Sequence, residues 1–118
     1  MTKKSIHEKG TEFSEWLRDQ PEIDSKLGYV TTNIDYVWKN YKTGKWCFIE
    51  EKRYMAKVGY SQKEIYRTVV DSCKTSENFR GVHLIQFENR SPDDGKIWLD
   101  GIEITKQELT NWLQDIVA

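Results

Sequence analysis

The spacing of apolar residues divides the chain into helical and strand-like segments. Apolar residues recur at helical spacing in three segments: 11–20, 61–77 and the one that opens at Thr105. β-branched and aromatic residues are concentrated in five segments: 28–38, 46–53, 82–88 and the two halves of KIWLDGIEI, residues 96–104. The order α-β-β-α-β-β-β-α predicts an α/β fold in which helices flank a mixed sheet.

Turn and capping residues separate these segments. Gly44 is expected to take a positive φ between the first two strands, and Asp100 and Gly101 to close a tight hairpin between the last two. The expected capping residues are Thr11, the pair Ser61 and Glu64, and the pair Thr105 and Glu108. The stripes expected to face the sheet are Ile65, Tyr66, Val69, Val70 and Cys73 in the second helix, and Leu109, Trp112, Leu113 and Ile116 in the third.

Length and composition fit one folded domain with an uneven charge distribution. The chain has 118 residues, including 5 Trp, 6 Tyr and 4 Phe, which is enough for a real core. We expect residues 1–10 to form a polar tail and residues 11–118 to form a single domain. The net charge is −1. Segment 39–67 nevertheless holds eight basic and three acidic residues, so this quarter of the chain is locally basic.

Cysteine and histidine usage predicts neither a disulfide nor a zinc site. Cys47 and Cys73 fall in apolar stripes, as core thiols of a reducing compartment do. His7 and His83 are far apart and have no obvious partner. No apolar run approaches the length of a membrane span. We therefore expect a cytoplasmic protein with no membrane segment.

The stretch CFIEEKRY, residues 47–54, runs from apolar side chains directly into four charges. Burying a charge is costly unless it is paired or binds a metal. Alternate residues of a strand share a face, so Glu50 and Lys52 are neighbours while Glu51 points the other way. Asp35 lies on the partner strand of the same hairpin and can approach Glu50. Two carboxylates and an ammonium would then converge at one edge of the sheet.

This convergence has a chemical use. Two close carboxylates suit Mg²⁺ or Mn²⁺, hard cations that keep some waters and also take phosphate oxygens. Such an ion acidifies a bound water and neutralises a phosphodiester under attack, and a nearby lysine can stabilise the transition state. The alternative is that Glu50 and Lys52 form a solvated salt bridge of an edge strand, which contributes little.

The following helix adds a second polar pair. Gln62 and Tyr66 are four residues apart and share the helix face that must pack on the sheet. A buried amide needs partners, and Lys52, Glu50 or a substrate phosphate would supply them. In the alternative interpretation, Gln62 lies at the helix rim and is bonded to water.

Taken in order, Asp35, Glu50-x-Lys52 and Gln62-x-x-x-Tyr66 resemble the motif of the PD-(D/E)XK nuclease superfamily. The Q-x-x-x-Y element is similar to that of its RecB-like branch, and the small size is similar to that of Holliday-junction resolvases and related phage enzymes. The resemblance covers roughly residues 11–88. Ile34 stands where the family's name-giving proline would be. The resemblance implies a restriction-endonuclease-like mixed sheet flanked by helices.

The resemblance also implies a role for each matching residue. The implied metal ligands are Asp35, Glu50, the Glu51 backbone carbonyl and Glu12. The implied catalytic residues are Lys52, Gln62 and Tyr66. Glu12 corresponds to an acid that many members supply from the first helix, although an acid in a first helical turn also complements the helix dipole.

Basic and aromatic residues around the motif suggest contacts to DNA. The basic candidates are Arg53, Lys57, Lys63 and Arg67. Trp38, Tyr41 and Trp46 flank the basic turn, where they could stack on unpaired bases. Core packing is the competing interpretation for both tryptophans, and Trp16, Trp98 and Trp112 lie at helical or strand spacings that predict core positions.

The expected function is therefore hydrolysis of DNA phosphodiester bonds by a small Mg²⁺- or Mn²⁺-dependent nuclease. The alternative is a catalytically inactive nuclease-fold module that binds nucleic acid or a protein partner. The substrate form and the choice between endonuclease and exonuclease stay open. A chain of this size has little surface with which to surround a duplex, so we expect a homo-oligomer.

Overall fold

A computed structural model describes residues 12–118. The chain divides into two compact units, and the boundary in the sequence lies between Thr31 and Thr32. The first unit contains helix α1 (Glu12–Asp19) and two 3-10 turns, Pro21–Ile23 and Ser25–Leu27. The first predicted helix is thus confirmed, whereas Thr11 and the tail 1–10 lie outside the described residues. The expected core position of Trp16 is wrong, because its ring stacks on the ring of Phe13 and both remain exposed.

The second unit is a five-stranded mixed sheet with helices. Its elements are β1 (Tyr36–Lys39), β2 (Trp46–Lys52), α2 (Tyr60–Cys73), β3 (Phe79–Phe87), β4 (Ile97–Leu99), β5 (Ile102–Ile104) and α3 (Lys106–Asp115). The strands lie in the order β1-β2-β3-β4-β5. β2 and β3 are parallel, and every other neighbouring pair is antiparallel. The predicted element order and the mixed sheet are confirmed.

β1 is much shorter than the predicted strand 28–38. The Asp35 side chain accepts a hydrogen bond of 2.9 Å from the backbone N–H of Glu51. The Asp35 carboxylate therefore takes the Glu51 N–H that a backbone carbonyl of β1 would otherwise accept. Regular pairing of β1 with β2 begins only at Tyr36. The predicted turn after β1 is confirmed, with Gly44 at a φ of 82°.

One face of the sheet carries the apolar core and packs against α3. Its buried residues are Cys47, Ile49, Ile85, Phe87, Ile97 and Leu109, flanked by Leu99, Ile104, Trp112, Leu113 and Ile116. The predicted capping box opens α3: Glu108 N–H donates to Thr105 Oγ1 at 3.0 Å, and Thr105 N–H donates to Glu108 Oε1 at 2.8 Å. The tight turn before β5 is also as predicted, with positive φ at Asp100 and Gly101.

The opposite face lies under α2 and is less tightly covered. None of the described side chains of α2 is fully buried. At one end of this face, Trp46 packs edge-on against Phe48 and at 4.8 Å from Phe79, so it contacts other aromatic rings but is only partly buried. Trp38 belongs to the other face and stays exposed at its rim, although its indole N–H donates to the carbonyl of Leu113 at 2.7 Å.

Candidate active site

Glu50 is the one charged residue that is fully buried within residues 12–118, with 3 % of its surface exposed. It lies on β2, on the face of the strand that also carries Phe48 and Lys52. Its Oε2 accepts a hydrogen bond from Gln62 Nε2 at 3.0 Å and forms an ion pair with Lys52 Nζ at 3.1 Å. The predicted sharing of one face by Glu50 and Lys52 is confirmed, and Glu50 is the partner that the inward amide of Gln62 required.

Gln62 uses both ends of its amide. Its Oε1 accepts a hydrogen bond from the Gly59 backbone N–H at 3.1 Å, while its Nε2 donates to Glu50. Gly59 is therefore the N-cap of α2, and Gln62 occupies the third helical position. The predicted capping box of Ser61 and Glu64 is wrong, since the helix begins two residues earlier and Glu64 pairs with Arg67 at 3.1 Å.

The second oxygen of Glu50 has no such support. Glu50 Oε1 and the hydroxyl oxygen of Tyr66 are both buried, and neither completes a hydrogen bond of good geometry. Burial raises the pKa of Tyr66 well above its ordinary value, and the close approach of its hydroxyl to the Glu50 carboxylate, followed by the charges of Glu50 and Asp35, raises it further. The Tyr66 hydroxyl therefore keeps its proton and can donate a hydrogen bond to an oxygen atom beside the two carboxylates. A buried carboxylate oxygen without a partner is the kind of atom that a cation or a proton satisfies.

Asp35 lies on the same side of the cluster. The β1–β2 register pairs Tyr36 with Ile49, so Asp35 continues it opposite Glu50. The Glu51 side chain points the other way, where it accepts from the Tyr36 hydroxyl at 2.9 Å and from Arg53 Nε at 3.1 Å. Glu51 therefore offers the site only its backbone, as expected, and Arg53 accompanies the Glu51 side chain instead of the cluster.

A cleft of about 430 Å³ opens between α2 and the sheet beside this cluster. Lys63 and Arg67 line it together with Glu50 and Tyr66, above a largely apolar surface. The structure thus brings two of the predicted DNA-binding residues to the acidic cluster. Lys57 is exposed in the loop before α2, and Glu12 begins α1 in the first unit.

The ligand set for a metal is small. Within residues 12–118, no three His, Cys, Asp or Glu side chains gather as a metal-binding group. Asp35, Glu50 and the Glu51 carbonyl supply oxygen donors only, which suits Mg²⁺ because this ion usually keeps several waters and takes substrate phosphates. The orphaned Oε1 of Glu50 fits such an ion.

A paired histidine was not foreseen. His83 Nδ1 lies 2.8 Å from Asp100 Oδ2, and its Nε2 lies 2.7 Å from the Arg80 carbonyl. Burial by itself lowers the pKa of His83, but these hydrogen bonds outweigh it and raise the pKa. The expectation that His83 lacks a partner is wrong, because the pairing depends on the β3–β4 register that brings the Asp100 turn back beside β3.

The turn that follows β2 was also missed. Tyr54 and Met55 both have left-handed backbone conformations, with φ of 55° and 57°, and their N–H groups donate to the carbonyls of Asn89 and Phe87. Non-glycine residues rarely adopt this conformation. Neither residue type signals such a turn.

No protein-family model matches the chain, and no similar curated protein or solved structure was found. None of the helices within residues 12–118 has the length and apolarity needed to span a bilayer.

Proposed function

We propose that this chain is a metal-dependent deoxyribonuclease of the PD-(D/E)XK type, with a restriction-endonuclease-like arrangement of sheet and helices. The observation that carries the proposal is Glu50, a buried carboxylate held by Lys52 and Gln62 on one oxygen and left unsatisfied on the other. A purely structural salt bridge has no need of an unsatisfied buried oxygen, which costs roughly 1–3 kcal/mol or more.

Asp35, Glu50 and the Glu51 carbonyl would hold Mg²⁺ or Mn²⁺. When bound, the ion lowers the pKa of a coordinated water and offsets the charge of the phosphodiester. The Lys52 ammonium would stabilise the negative charge that develops on the phosphorus oxygens. Gln62 fixes the position of the Glu50 carboxylate through its own bond to the helix N-terminus.

The basic side of the cleft would position the DNA backbone. Lys63 and Arg67 line the cleft next to Glu50, and Lys57 stands exposed before the helix. Contacts of this kind depend on charge and carry no sequence information. The Tyr66 hydroxyl, which keeps its proton, would donate a hydrogen bond to Glu50 or to a phosphate oxygen.

The test combines cleavage with metal binding. Labelled duplex, branched and single-stranded DNA are incubated with the protein in Mn²⁺ or in EDTA, and thermal unfolding is recorded over a Mn²⁺ series. We expect cleavage in Mn²⁺ only, and a melting temperature that rises with Mn²⁺ because the ion binds the folded state.

Asp35→Asn keeps an oxygen that can accept from Glu51 N–H but removes the charge, so it should lose both responses. Asp71→Asn removes the same charge from an exposed position on α2 and should retain them. An unchanged Mn²⁺ response in Asp35→Asn would disprove the metal site. Wild-type protein that binds DNA in Mn²⁺ without cleaving it would replace the nuclease by a non-cleaving binding module.

A further inference from the structure

β1 is the edge strand of the sheet, and among residues 12–118 no strand pairs with its outer side. All four of its residues are exposed, including the large side chains of Tyr36, Val37 and Trp38. Natural edge strands are usually protected by charges, prolines or bulges, because an open edge pairs readily with another strand. Of these protective features, β1 has only the charge of Lys39, so its edge is available for pairing.

The hydrogen-bond phase of β1 shows which backbone groups face outward. Asn40 N–H donates to the Lys45 carbonyl at 3.0 Å, so this pair is a hydrogen-bonded one. Hydrogen-bonded and non-hydrogen-bonded pairs alternate along an antiparallel ladder. Trp38 and Tyr36 therefore bond to β2, in register with Cys47 and Ile49. The outward backbone groups belong to the alternate residues: Asp35, Val37 and Lys39.

We propose that two copies of the chain associate by antiparallel pairing of β1 with β1, about a two-fold axis at Val37. An axis at an outward residue places that residue opposite itself. An axis at Asp35 would oppose two acids, and an axis at Lys39 would oppose two lysines. Among the three outward residues, the axis at Val37 avoids both, because it pairs Asp35 with the partner's Lys39 and Val37 with its own copy. Cross-strand pairs of opposite charge stabilise a sheet, whereas like charges destabilise it.

This pairing brings a cation to the acidic cluster. Asp35, Val37 and Lys39 share one face of β1, the face on which the register places Glu50. The partner's Lys39 would therefore lie beside Asp35, so each copy would supply one positive charge to the site of the other. On the opposite face, Tyr36 would lie next to the partner's Trp38, which joins two exposed aromatic rings.

Cysteine cross-linking tests the axis directly. In a hydrogen-bonded antiparallel pair the Cα atoms are about 5.5 Å apart, within the usual range of a disulfide. Val37→Cys should therefore form a covalent dimer under mild oxidation. Tyr36→Cys is the matched control, because it is exposed to a similar degree but faces residue 38 of the partner. Equal cross-linking of both variants, or none at Val37→Cys, would disprove this axis.

Solution mass tests the association without any new bond. Up to about 1 mM protein, where even an association worth roughly 4 kcal/mol is visible, wild type should approach twice the 14.0 kDa of one chain. Val37→Lys places two lysines opposite each other and should return the protein to a monomer. Ile102→Lys adds the same charge to the β5 edge at similar exposure, 69 % against 61 %, and should leave the dimer intact. A monomeric wild type, or a dimer unaffected by Val37→Lys, would overturn the proposal. These measurements need neither metal nor DNA, so their outcome is independent of nuclease activity.

Discussion

The two faces of the sheet differ in the polarity of their side chains and in how completely those side chains are buried. The face under α3 carries six apolar side chains that are buried together, and these come from β2, β3, β4 and α3. The face under α2 has a buried glutamate where the first has isoleucine, and its helix buries no side chain fully. Adjacent residues of β2, Ile49 and Glu50, mark the difference.

The comparison shows how a small domain can carry a poorly satisfied charge. α3 is secured by a complete capping box and by Leu109 in the core. α2 begins without a side-chain cap from its N-cap residue, and the first-turn contact from Gln62 is shared with Glu50. Stability is thus concentrated on one face, which leaves the other free to depart from the rules for a well-satisfied interior.

The largest expected effect tests where stability resides. Ile97 is 2 % exposed in the core under α3, so Ile97→Ala should lower the free energy of unfolding by roughly 2–5 kcal/mol. Val70 on α2 is 37 % exposed, and Val70→Ala should cost less than about 1 kcal/mol, since little transfer energy and little cavity are involved. Urea unfolding followed by tryptophan fluorescence gives both values. Similar losses in the two variants would break the comparison.

The next effect concerns chemistry under α2. Lys52→Met removes the cation next to Glu50 and should reduce Mn²⁺-dependent cleavage by about a hundredfold or more. It should also destabilise the fold, because Glu50 would keep a buried charge without its ion partner. Adding Glu50→Gln removes that charge, so the double variant should recover stability without recovering cleavage. Measuring nicking and urea unfolding on both variants separates the two effects.

Glu51→Gln is the matched control for this experiment. Glu51 is adjacent to Glu50 and bears the same charge, but its side chain binds Tyr36 and Arg53 on the opposite face. Its cleavage rate should stay close to that of wild type. A loss as large as that of Lys52→Met would mean that the two faces are not functionally distinct.

A smaller effect should appear in the pH dependence of stability. The pKa of His83 is raised in the folded state, so its contribution is present at low pH and is lost as the pH rises through the folded-state pKa. Burial by itself raises the pKa of Asp100, but the bonds from His83 and the Leu84 N–H outweigh it and lower the pKa. The contribution of Asp100 is therefore lost only in acid.

The pair thus stabilises the fold at pH values between the pKa of Asp100 and that of His83. Its contribution is on the order of 1 kcal/mol or less, because the Asp100 side chain is nearly half exposed. Unfolding free energies measured from mildly acidic to mildly alkaline pH should fall in wild type and change less in His83→Gln. An identical profile in the variant would place the titration elsewhere.

The smallest effect lies in the turn after β2. Met55 has a φ of 57°, which glycine adopts without steric cost. Met55→Gly should therefore change the free energy of unfolding by less than about 1 kcal/mol, because relief of the left-handed backbone offsets the added entropy of the unfolded chain and the lost packing of a side chain that is 38 % exposed. Ala56→Gly in the same loop lacks a positive φ to relieve and should destabilise slightly. Chemical denaturation of both variants measures the difference.

Local chemistry in the sequence predicts much of this architecture. The box of Thr105 with Glu108 and the Asp100-Gly101 turn are confirmed because each depends on residues at most three positions apart. The alternation of β2 correctly separates Glu50 from Glu51. Its success follows from the fixed geometry of a strand, in which neighbouring side chains leave opposite faces.

The features that escaped prediction depend on long-range contacts or on competition between neighbours. The late start of β1 arises because Asp35 bonds to a residue 16 positions away. The pair of His83 and Asp100 likewise spans 17 positions. At α2, Gly59 and Gln62 displace the expected box because Gln62 satisfies a backbone donor and a buried carboxylate at once. The metal ligands and the basic DNA contacts stay predictions.

The two cysteines lie on the two contrasting sides, and each is a built-in reporter of its own side. Cys47 is fully buried in the core, where burial raises the pKa of its thiol to about 11, so alkylating reagents can reach its thiolate only when the sheet opens. Cys73 ends α2 and is only partly covered, so partial unwinding of that helix is enough to expose it. The unmodified protein should therefore label in two phases. The rate of the fast phase would report local opening of α2, and the rate of the slow phase would report opening of the whole sheet.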